Sequence, residues 1–582
     1  MLLRERILII VLVCSFSTVF VTDAYILQEA VIAKYFWFAS IMCIASSILL
    51  FQLSKKKEIH VSDVFFVLFA IYVCINYFCL NGAPSMQWWL LLLMFPLYIS
   101  VRLAAGDGTL RRWLLSVILI VVLAQAVWGL LQLYGFARSY HNLYKITGTL
   151  FNPGPYSGFV AVGMPLSLAY SFDKTLSRWE RCLGAVSLLA AVLVLPAAMS
   201  RAAWIAGVVG CVPVLFQVSS LTSLRASPFK FQVPSSKFTT IVGAVFLSVA
   251  LLTGLYFLKK DSAHGRWVIW NASMEAFKEN PLLGAGYGKF AAVYGDAQAT
   301  YFLKQERTAA QVMVADSPDY AFNEYVQIAV ELGIVGLLLF LLLMGSCFVV
   351  QHSLTHSHCS LIAFSVFAAF SYPFSVLPLG IMFIFLLALS APSSRKLSFT
   401  APVWLRAIVV ALCFGVTAYS VCQILPKRAA YREWSTLRTL YRINAFHEAT
   451  KEYATLYPKL RHEKHFLFEY AQCLSKTEQP AESNRIFEEY LLYGSDPMVY
   501  NCMGNNFKEM GDYGKAENLY LRASQIVPNR LYPLYLLMKL YAETGQTEKA
   551  KAMADALLKK PVKVKSAAIR EMQEEARKMV SD

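Results

Sequence analysis

Long apolar runs separated by short polar loops fill most of this chain, and the pattern stops near residue 426. Stretches of about 17 to 25 apolar residues are long enough to cross a bilayer. They lie near 7–22, 31–53, 61–80, 87–104, 113–134, 156–172, 182–199, 202–218, 238–258, 325–350, 359–374, 376–391 and 403–425. That makes thirteen expected spans; the short first run and the pair broken by Pro373 and Pro378 leave twelve or fourteen open. Beyond 426 the chain is rich in Lys, Glu, Arg and Tyr. The pattern predicts an all-α protein in two parts: a polytopic helical membrane domain over 1–426, with a large water-facing loop at 259–324, and a helical tail over 427–582.

Arg4-Glu5-Arg6 before the apolar run Ile7 to Val21 has the layout of a secretory signal, but no clear A-x-A site follows, so this run counts as the first span. Basic residues orient the rest. Arg4 and Arg6, Lys55 to Lys57, Arg102 with Arg111 and Arg112, Lys174 with Arg178 and Arg181, Arg225 with Lys230 and Lys237, and Arg395 with Lys396 fall on alternate loops. Those loops are expected in the cytoplasm. Loops such as Thr22 to Ala30 and Asn81 to Met86 are poor in Lys and Arg and face outward. Thirteen spans starting inside place both the 259–324 loop and the tail outside.

The tail repeats itself. Tyr500, Met503-Gly504, Phe507, Gly511, Ala516, Tyr520, Ala523 and Pro528 fit the tetratricopeptide pattern, whose period is about 34 residues. Leu534, Tyr541, Gly545 and Ala550 repeat it more weakly, and degenerate copies precede it around Ala445 to Pro458 and Phe466 to Tyr490. Such helix pairs stack into a concave surface that binds a protein partner, or form a rigid cap on the membrane domain.

Composition agrees with a membrane protein: 57% of residues are hydrophobic and 15% charged. The net charge of +16 could point to nucleic acid, but most Lys and Arg sit in short loops between spans, which is topology and excludes a nucleic-acid patch. Ten of the twelve cysteines fall within expected spans as small core residues; Cys473 and Cys502 in the tail could pair in an oxidising compartment or sit as buried thiols. His352, His356 and His358 could bind a metal, but they are expected in a cytoplasmic loop, across the membrane from the outward-facing loops.

Four stretches could carry chemistry. From His264 to Asn280, Trp267, Trp270, Met274 and Phe277 recur at helical spacing as one apolar stripe, and Pro281 with Gly284, Gly286 and Gly288 ends the helix. Such a helix lies along a membrane surface or roofs a cavity. Arg266 is expected at its first turn, where an anion is welcome; snorkelling to lipid headgroups is the alternative. In Met199-Ser200-Arg201-Ala202-Ala203-Trp204, Arg201 opens a helix at the outer membrane edge, with Ser200 as cap. Two such arginines suit a multiply charged anion, because guanidinium forks match phosphate oxygens. At an outer membrane face that anion is a lipid diphosphate. The loop Thr147 to Phe159 is dense in Pro and Gly; its Asn152 could donate to a sugar or phosphate, or simply make a turn. Finally, Asp316, Asp319 and Glu324 gather with Asn323 and Gln327 where the chain re-enters the membrane, and a carboxylate there could serve as a general base or as a cap.

The order Ser200-Arg201, then Gly265-Arg266 with Pro281-Leu282-Leu283-Gly284-Ala285-Gly286, then Asn323-Glu324-Tyr325 before Glu331-Leu332-Gly333, resembles the O-antigen ligase and O-antigen polymerase family, which includes protein O-oligosaccharyltransferases. The resemblance covers roughly residues 110 to 390, and members of that superfamily also carry tetratricopeptide tails. It implies a largely helical, glycosyltransferase-C-like membrane fold in a bacterial inner membrane. It implies a metal-independent, inverting glycosyltransferase that needs no cofactor. Such an enzyme passes a glycan from undecaprenyl pyrophosphate, at the periplasmic face, to a hydroxyl of lipid A-core, growing polysaccharide or protein. Arg201 and Arg266 match the arginines that hold the diphosphate. His264, Asn152, Asn323 and Tyr325 are further substrate-binding candidates. Many ligases carry His before the Asn of the third motif, whereas this chain has Phe322, which cannot move a proton. Asp316, Asp319, Glu324 or His264 would then substitute, with Glu324 and Asp319 foremost; otherwise the acceptor differs or the site is inactive. A transporter or flippase of lipid-linked or anionic solutes is the alternative, but it would carry ionisable residues deep in its spans, and these runs contain almost none. An envelope scaffold would need far fewer spans.

Overall fold

The computed structural model describes residues 3–49, 58–106, 108–221, 260–304, 308–349, 354–391, 398–400 and 402–581. The expected span at 238–258 lies outside the described residues, as do Lys55 to Lys57, Arg225, Lys230, Lys237, His352, Arg395 and Lys396. The membrane part runs α1 (Leu3–Ser17), α2 (Ile32–Leu49), α3 (Val61–Cys79), α4 (Met86–Ala105), α5 (Gly108–Leu133), α6 (Pro153–Phe172), α7 (Arg178–Ala198) and α8 (Arg201–Leu221). After these come α9 (Lys260–Glu279), α10 (Phe290–Lys304), α11 (Ala309–Val314), α12 (Glu324–Ser346), α13 (His356–Ala368), α14 (Leu377–Leu389) and α15 (Val403–Ile424). Two three-residue strands, Glu58–His60 and Ser398–Thr400, pair antiparallel.

Six described helices are long and apolar enough to cross a membrane: α3, α4, α5, α7, α12 and α15, the last running on past Pro426. Shorter apolar segments lie in α1, α2, α8 and α14. The fold is multi-pass and helical, as the run lengths predict. The expected spans at 359–374 and 376–391 differ from expectation. Pro373 and Pro378 break them into the 13-residue helices α13 and α14 around a 3-10 turn at Pro373–Ser375. At about 1.5 Å rise per residue each reaches roughly 20 Å, short of a bilayer core of roughly 30 Å. Both are largely buried, so their irregular junction is enclosed by protein, the one setting in which open backbone survives at membrane depth.

The centre of this part is α6, buried from Pro155 to Tyr170 and packed against α5, α7, α8 and α13. Asn152 caps it, its Oδ1 accepting from Gly154 N–H at 3.0 Å, with Pro153 as the first helical residue. Its small residues admit close neighbours: a Cβ at Gly158 would sit 2.1 Å from the ring of Phe367.

The tail comprises α16 (Lys427–Arg442), α17 (Phe446–Leu460), α18 (Lys464–Lys476), α19 (Pro480–Tyr490), α20 (Pro497–Glu509), α21 (Tyr513–Ile526), α22 (Tyr532–Glu543), α23 (Thr547–Lys559) and α24 (Ala567–Ser581). The small motif positions receive large ones. A Cβ at Gly504 would lie 2.4 Å from the Tyr520 ring, which explains a Gly facing that Tyr. The degenerate copies are helix pairs too. One apolar cluster runs from the membrane helices into the tail as far as Met503, and a separate one holds α21 to α24 together. Cys473 and Cys502 are both free thiols.

Candidate active site

Three stretches of chain build the site, and the first thing that fixes them is backbone. The loop after α9 lies along the start of α12: Ala285 N–H donates to Val330 O (2.8 Å) and Gly286 N–H to Glu331 O (2.9 Å), while Ile334 N–H donates to Pro281 O (2.9 Å). Gly333 adopts φ +67°, which interrupts α12, and a Cβ there would meet Leu282 O at 2.2 Å. Only glycine fits that position. Asn76 of α3 clamps the same loop, donating to Leu283 O (2.7 Å) and accepting from Tyr287 N–H (3.0 Å). The motifs Pro281–Gly286 and Glu331–Gly336 are therefore one structural unit.

Above it, α9 packs Val268, Ala272 and Ala276 against Phe290, Tyr294, Ala297 and Ala321. This corrects the expected stripe: Trp267 and Met274 are exposed, at 59% and 43%, and the small residues beside them face inward. Trp270 does turn in, its Nε1–H donating to Ala321 O at 3.0 Å. Arg266 is corrected as well, since α9 already runs from Lys260 and places it beyond the first turn.

Arg201 stands where expected, as first residue of α8, after α7 closes on Met199 in a left-handed conformation (φ +51°). The structure brings Arg201 and Arg266 into electrostatic reach. Burial, then the like charge of Arg201, lower the pKa of the Arg266 guanidinium, against an opposing pull from Tyr372. Phe322 supplies a ring face 5.8 Å from the Arg266 carbon. Tyr372, from the broken junction, stands edge-on to Phe322 at 5.2 Å, and Tyr320 stacks on Tyr372 at 4.7 Å. Among the described residues no carboxylate forms an ion pair with Arg266.

The nearby acids are engaged elsewhere. Glu324 is 3% exposed and accepts from Phe374 N–H at 2.7 Å. Glu331 accepts from Gly288 N–H (3.0 Å), Phe290 N–H (3.3 Å) and Gln327 Nε2–H (3.2 Å), which holds the start of α10. Asp319 pairs with Lys464 of the tail, and Asp316 with Arg530 and Lys563. Asn323 caps α12, accepting from Tyr325 N–H (3.0 Å) and Val326 N–H (3.2 Å), and Tyr325 donates its hydroxyl to Ser365 O (3.0 Å). His264 is exposed on α9. Asn152 is the cap of α6 described above. On the opposite side of the membrane part, His356 meets Asp173 at 3.1 Å and His358 lies 2.6 Å from the Thr355 hydroxyl.

Glu324, Gln327 and Glu331 also form the polar end of a cavity of about 450 Å³, walled by Phe66, Val73, Trp88 and Phe383; neither arginine lines it. Phe374, whose N–H Glu324 accepts, lines it too. The aromatic pair Tyr320 and Tyr372 carries no mark in the sequence, since no periodicity sets it apart. Glu331 carried a signal, an acid within an apolar run.

Residues 186–341 match the sequence model described as O-antigen ligase, and residues 508–570 match a tetratricopeptide repeat model. Both arginines and both glycine motifs fall inside the first match. The exopolysaccharide production protein ExoQ of Rhizobium meliloti (strain 1021) is 24% identical over 303 residues, covering 48% of this chain and 63% of that protein's length. The crystal structure of the APC/C hetero-tetramer Cut9-Hcn1 overlays 94% of this chain and 90% of its own at 9% identity and a TM-score of 0.23. On one multi-pass helical chain, then, the segment that holds both arginines and the interlocked glycine motifs is similar to O-antigen ligases, and the C-terminal tail is similar to tetratricopeptide repeats.

Proposed function

We propose that this protein transfers a glycan from undecaprenyl pyrophosphate to an acceptor hydroxyl at the periplasmic face of a bacterial inner membrane. The observation that carries the reading is Arg266. It is a half-buried guanidinium with a second cation in reach and no acid partner among the described residues, and it sits in the segment that matches the ligase family. Burial and a like charge in reach make the Arg266 guanidinium welcome an anion, and a diphosphate supplies two to three negative charges with oxygens spaced for guanidinium forks. Arg201 and Arg266 hold the diphosphate in this reading. As the anomeric carbon–oxygen bond breaks, negative charge grows on the departing diphosphate, and fixed cations in a water-poor site stabilise that state more than the ground state. The acceptor oxygen attacks the opposite side of the anomeric carbon, which inverts its configuration, and its proton passes to a base.

Phe322 cannot take that proton, and Asp319 is committed to Lys464. Glu324 is the base we assign, because it is buried beside Asn323 and Phe322 and is held by a single backbone donor in a place where a carboxylate needs more. The chemistry is carried by the two arginines and Glu324, with no metal required. Lipid A-core, growing polysaccharide and protein Ser or Thr remain the acceptor classes. The test is transfer by purified full-length protein in liposomes with an undecaprenyl pyrophosphate-linked glycan. Arg201→Ala and Arg266→Ala should each abolish it, and Arg266→Lys should restore it only in part, since a lysine lacks the fork. Near-normal transfer by both alanine variants would overturn the reading.

A further inference from the structure

The tail grips the segment that delivers Phe322. The side-chain amide of Asn529, buried in the turn between α21 and α22, donates to Val312 O (3.0 Å), Met313 O (3.2 Å) and Ala315 O (2.7 Å). Val312 and Met313 lie in the last turn of α11 and Ala315 is its C-cap, whose own N–H also donates to Val312 O (3.2 Å); the tail adds a donor to this helix end from another part of the chain. Gln298 of α10 ties both sides together, its amide donating to Asp316 O (3.0 Å) and to Ile526 O (2.6 Å) at the end of α21. Side chains add Arg530 and Lys563 on Asp316, and Lys464 on Asp319.

Immediately after Asp319 the chain enters the site. Tyr320 stacks on Tyr372, Ala321 is bonded at both its O (Trp270) and its N–H (Gln327 Oε1, 3.3 Å), and Phe322 presents its ring to Arg266 with φ at +52°. A phenylalanine in that left-handed region is strained by about 1–3 kcal/mol and stays there only where its surroundings impose it. On the side of Asp316 and Asp319 those surroundings are the tail.

We propose that Asn529 and Lys464 are positioning residues: the tetratricopeptide tail fixes residues 312–319 and thereby sets Phe322 against Arg266, so the repeats govern diphosphate binding within their own chain. This rests on Arg266 as the anion-holding group. It also gives one edge of the repeats an intramolecular occupant.

The test uses the full-length protein in lipid nanodiscs, with hydrogen exchange at 316–324 and affinity for farnesyl diphosphate as readouts. Asn529→Asp keeps the shape but turns donors into acceptors; Lys464→Glu and Asp319→Lys each break the ion pair, and the double charge swap rebuilds it. Each single variant should speed exchange at 316–324 while α20 and α21 keep their protection, and should weaken the probe by about 3- to 10-fold. The double swap should restore both. Unchanged exchange at 316–324 in the single variants, or a double swap that restores neither readout, overturns the proposal. Arg266→Ala separates the two claims. If it leaves probe affinity intact, the anion-holding role fails, whereas exchange at 316–324 still decides whether the tail positions the segment. Should Asn529→Asp unfold the tail, the charge-swap pair alone decides.

Discussion

Arg102 and Arg266 are both half-buried guanidiniums, and the protein treats them in opposite ways. Near the end of α4, Arg102 meets the carboxylate of Asp63 with two bonds, at 2.7 Å and 3.1 Å. Tyr98 donates to the same carboxylate at 2.8 Å, and His60 N–H does so at 2.9 Å. That charge is neutralised within the fold. Arg266 instead faces a phenyl ring and a second arginine. The acids around it are turned away: Asp316 and Asp319 to tail cations, Glu324 to Phe374 N–H, Glu331 to the start of α10. Arg102 holds its fold with its own acid, whereas Arg266, which we propose receives the diphosphate, has no acid partner among the described residues.

The widest separation comes from removing each side chain. Arg102→Ala strands a buried Asp63 carboxylate, which destabilises by about 3–5 kcal/mol. Arg266→Ala strands nothing and removes a like-charge contact, so stability should hold while transfer falls by about 100- to 1,000-fold. Thermal unfolding in detergent beside a transfer assay reads both. If the two variants lose stability alike, the contrast between a structural and a functional arginine is gone.

The next experiment makes one arginine resemble the other. Phe322→Glu would hand Arg266 an internal carboxylate at the distance of the present ring. Transfer and affinity for a prenyl diphosphate should both fall by about tenfold or more, with stability equal or higher, because the new acid competes for the charge the ligand needs. A variant that binds the probe as tightly as before would mean that Arg266 does not meet the diphosphate. A smaller effect belongs to Phe322→Leu, which keeps the bulk and removes the ring face. A loss of about 2- to 5-fold in affinity matches a cation–π contact of about 0.5–1 kcal/mol.

Particular residues show what the sequence made legible. The alternation of runs and loops, the order of the three motifs and the repeats were readable because each is a local pattern, set by helix period or by a small residue that must face a large one, as Gly504 faces Tyr520. The buried face of α9 was not. Apolar period picks out Trp267 and Met274, yet Val268, Ala272 and Ala276 pack inward. In a protein whose outer apolar side chains meet lipid, hydrophobicity does not choose the inner face, and close packing favours small residues there. The grouping of three acids near Glu324 was visible, but their use was not: Lys464 lies 145 positions from Asp319, and no local pattern records such a pair. The left-handed Phe322 likewise follows from contacts on both sides of it, not from its own preference.

The smallest effect tests the comparison in the tail. Glu463 is a buried carboxyl next in sequence to Lys464, whose ammonium is spent on Asp319, and it is bonded to the Tyr431 hydroxyl. Burial raises its pKa to about 7, against the pull of Tyr431 and Lys464. A group whose folded value lies above its ordinary 4.5 binds its proton more tightly in the folded state. Stability therefore declines as pH rises from about 4.5 to about 7 and levels off above that. Glu463→Gln, neutral at every pH, should flatten this decline in unfolding temperature. Asp319→Asn, which leaves Lys464 without its partner, should favour the Glu463 carboxylate and shift the decline to lower pH, toward the ordinary value. Were the decline to keep its position in Asp319→Asn, Lys464 would be no shared resource between the two acids. The ion pair across to the membrane part would then act on Asp319 alone.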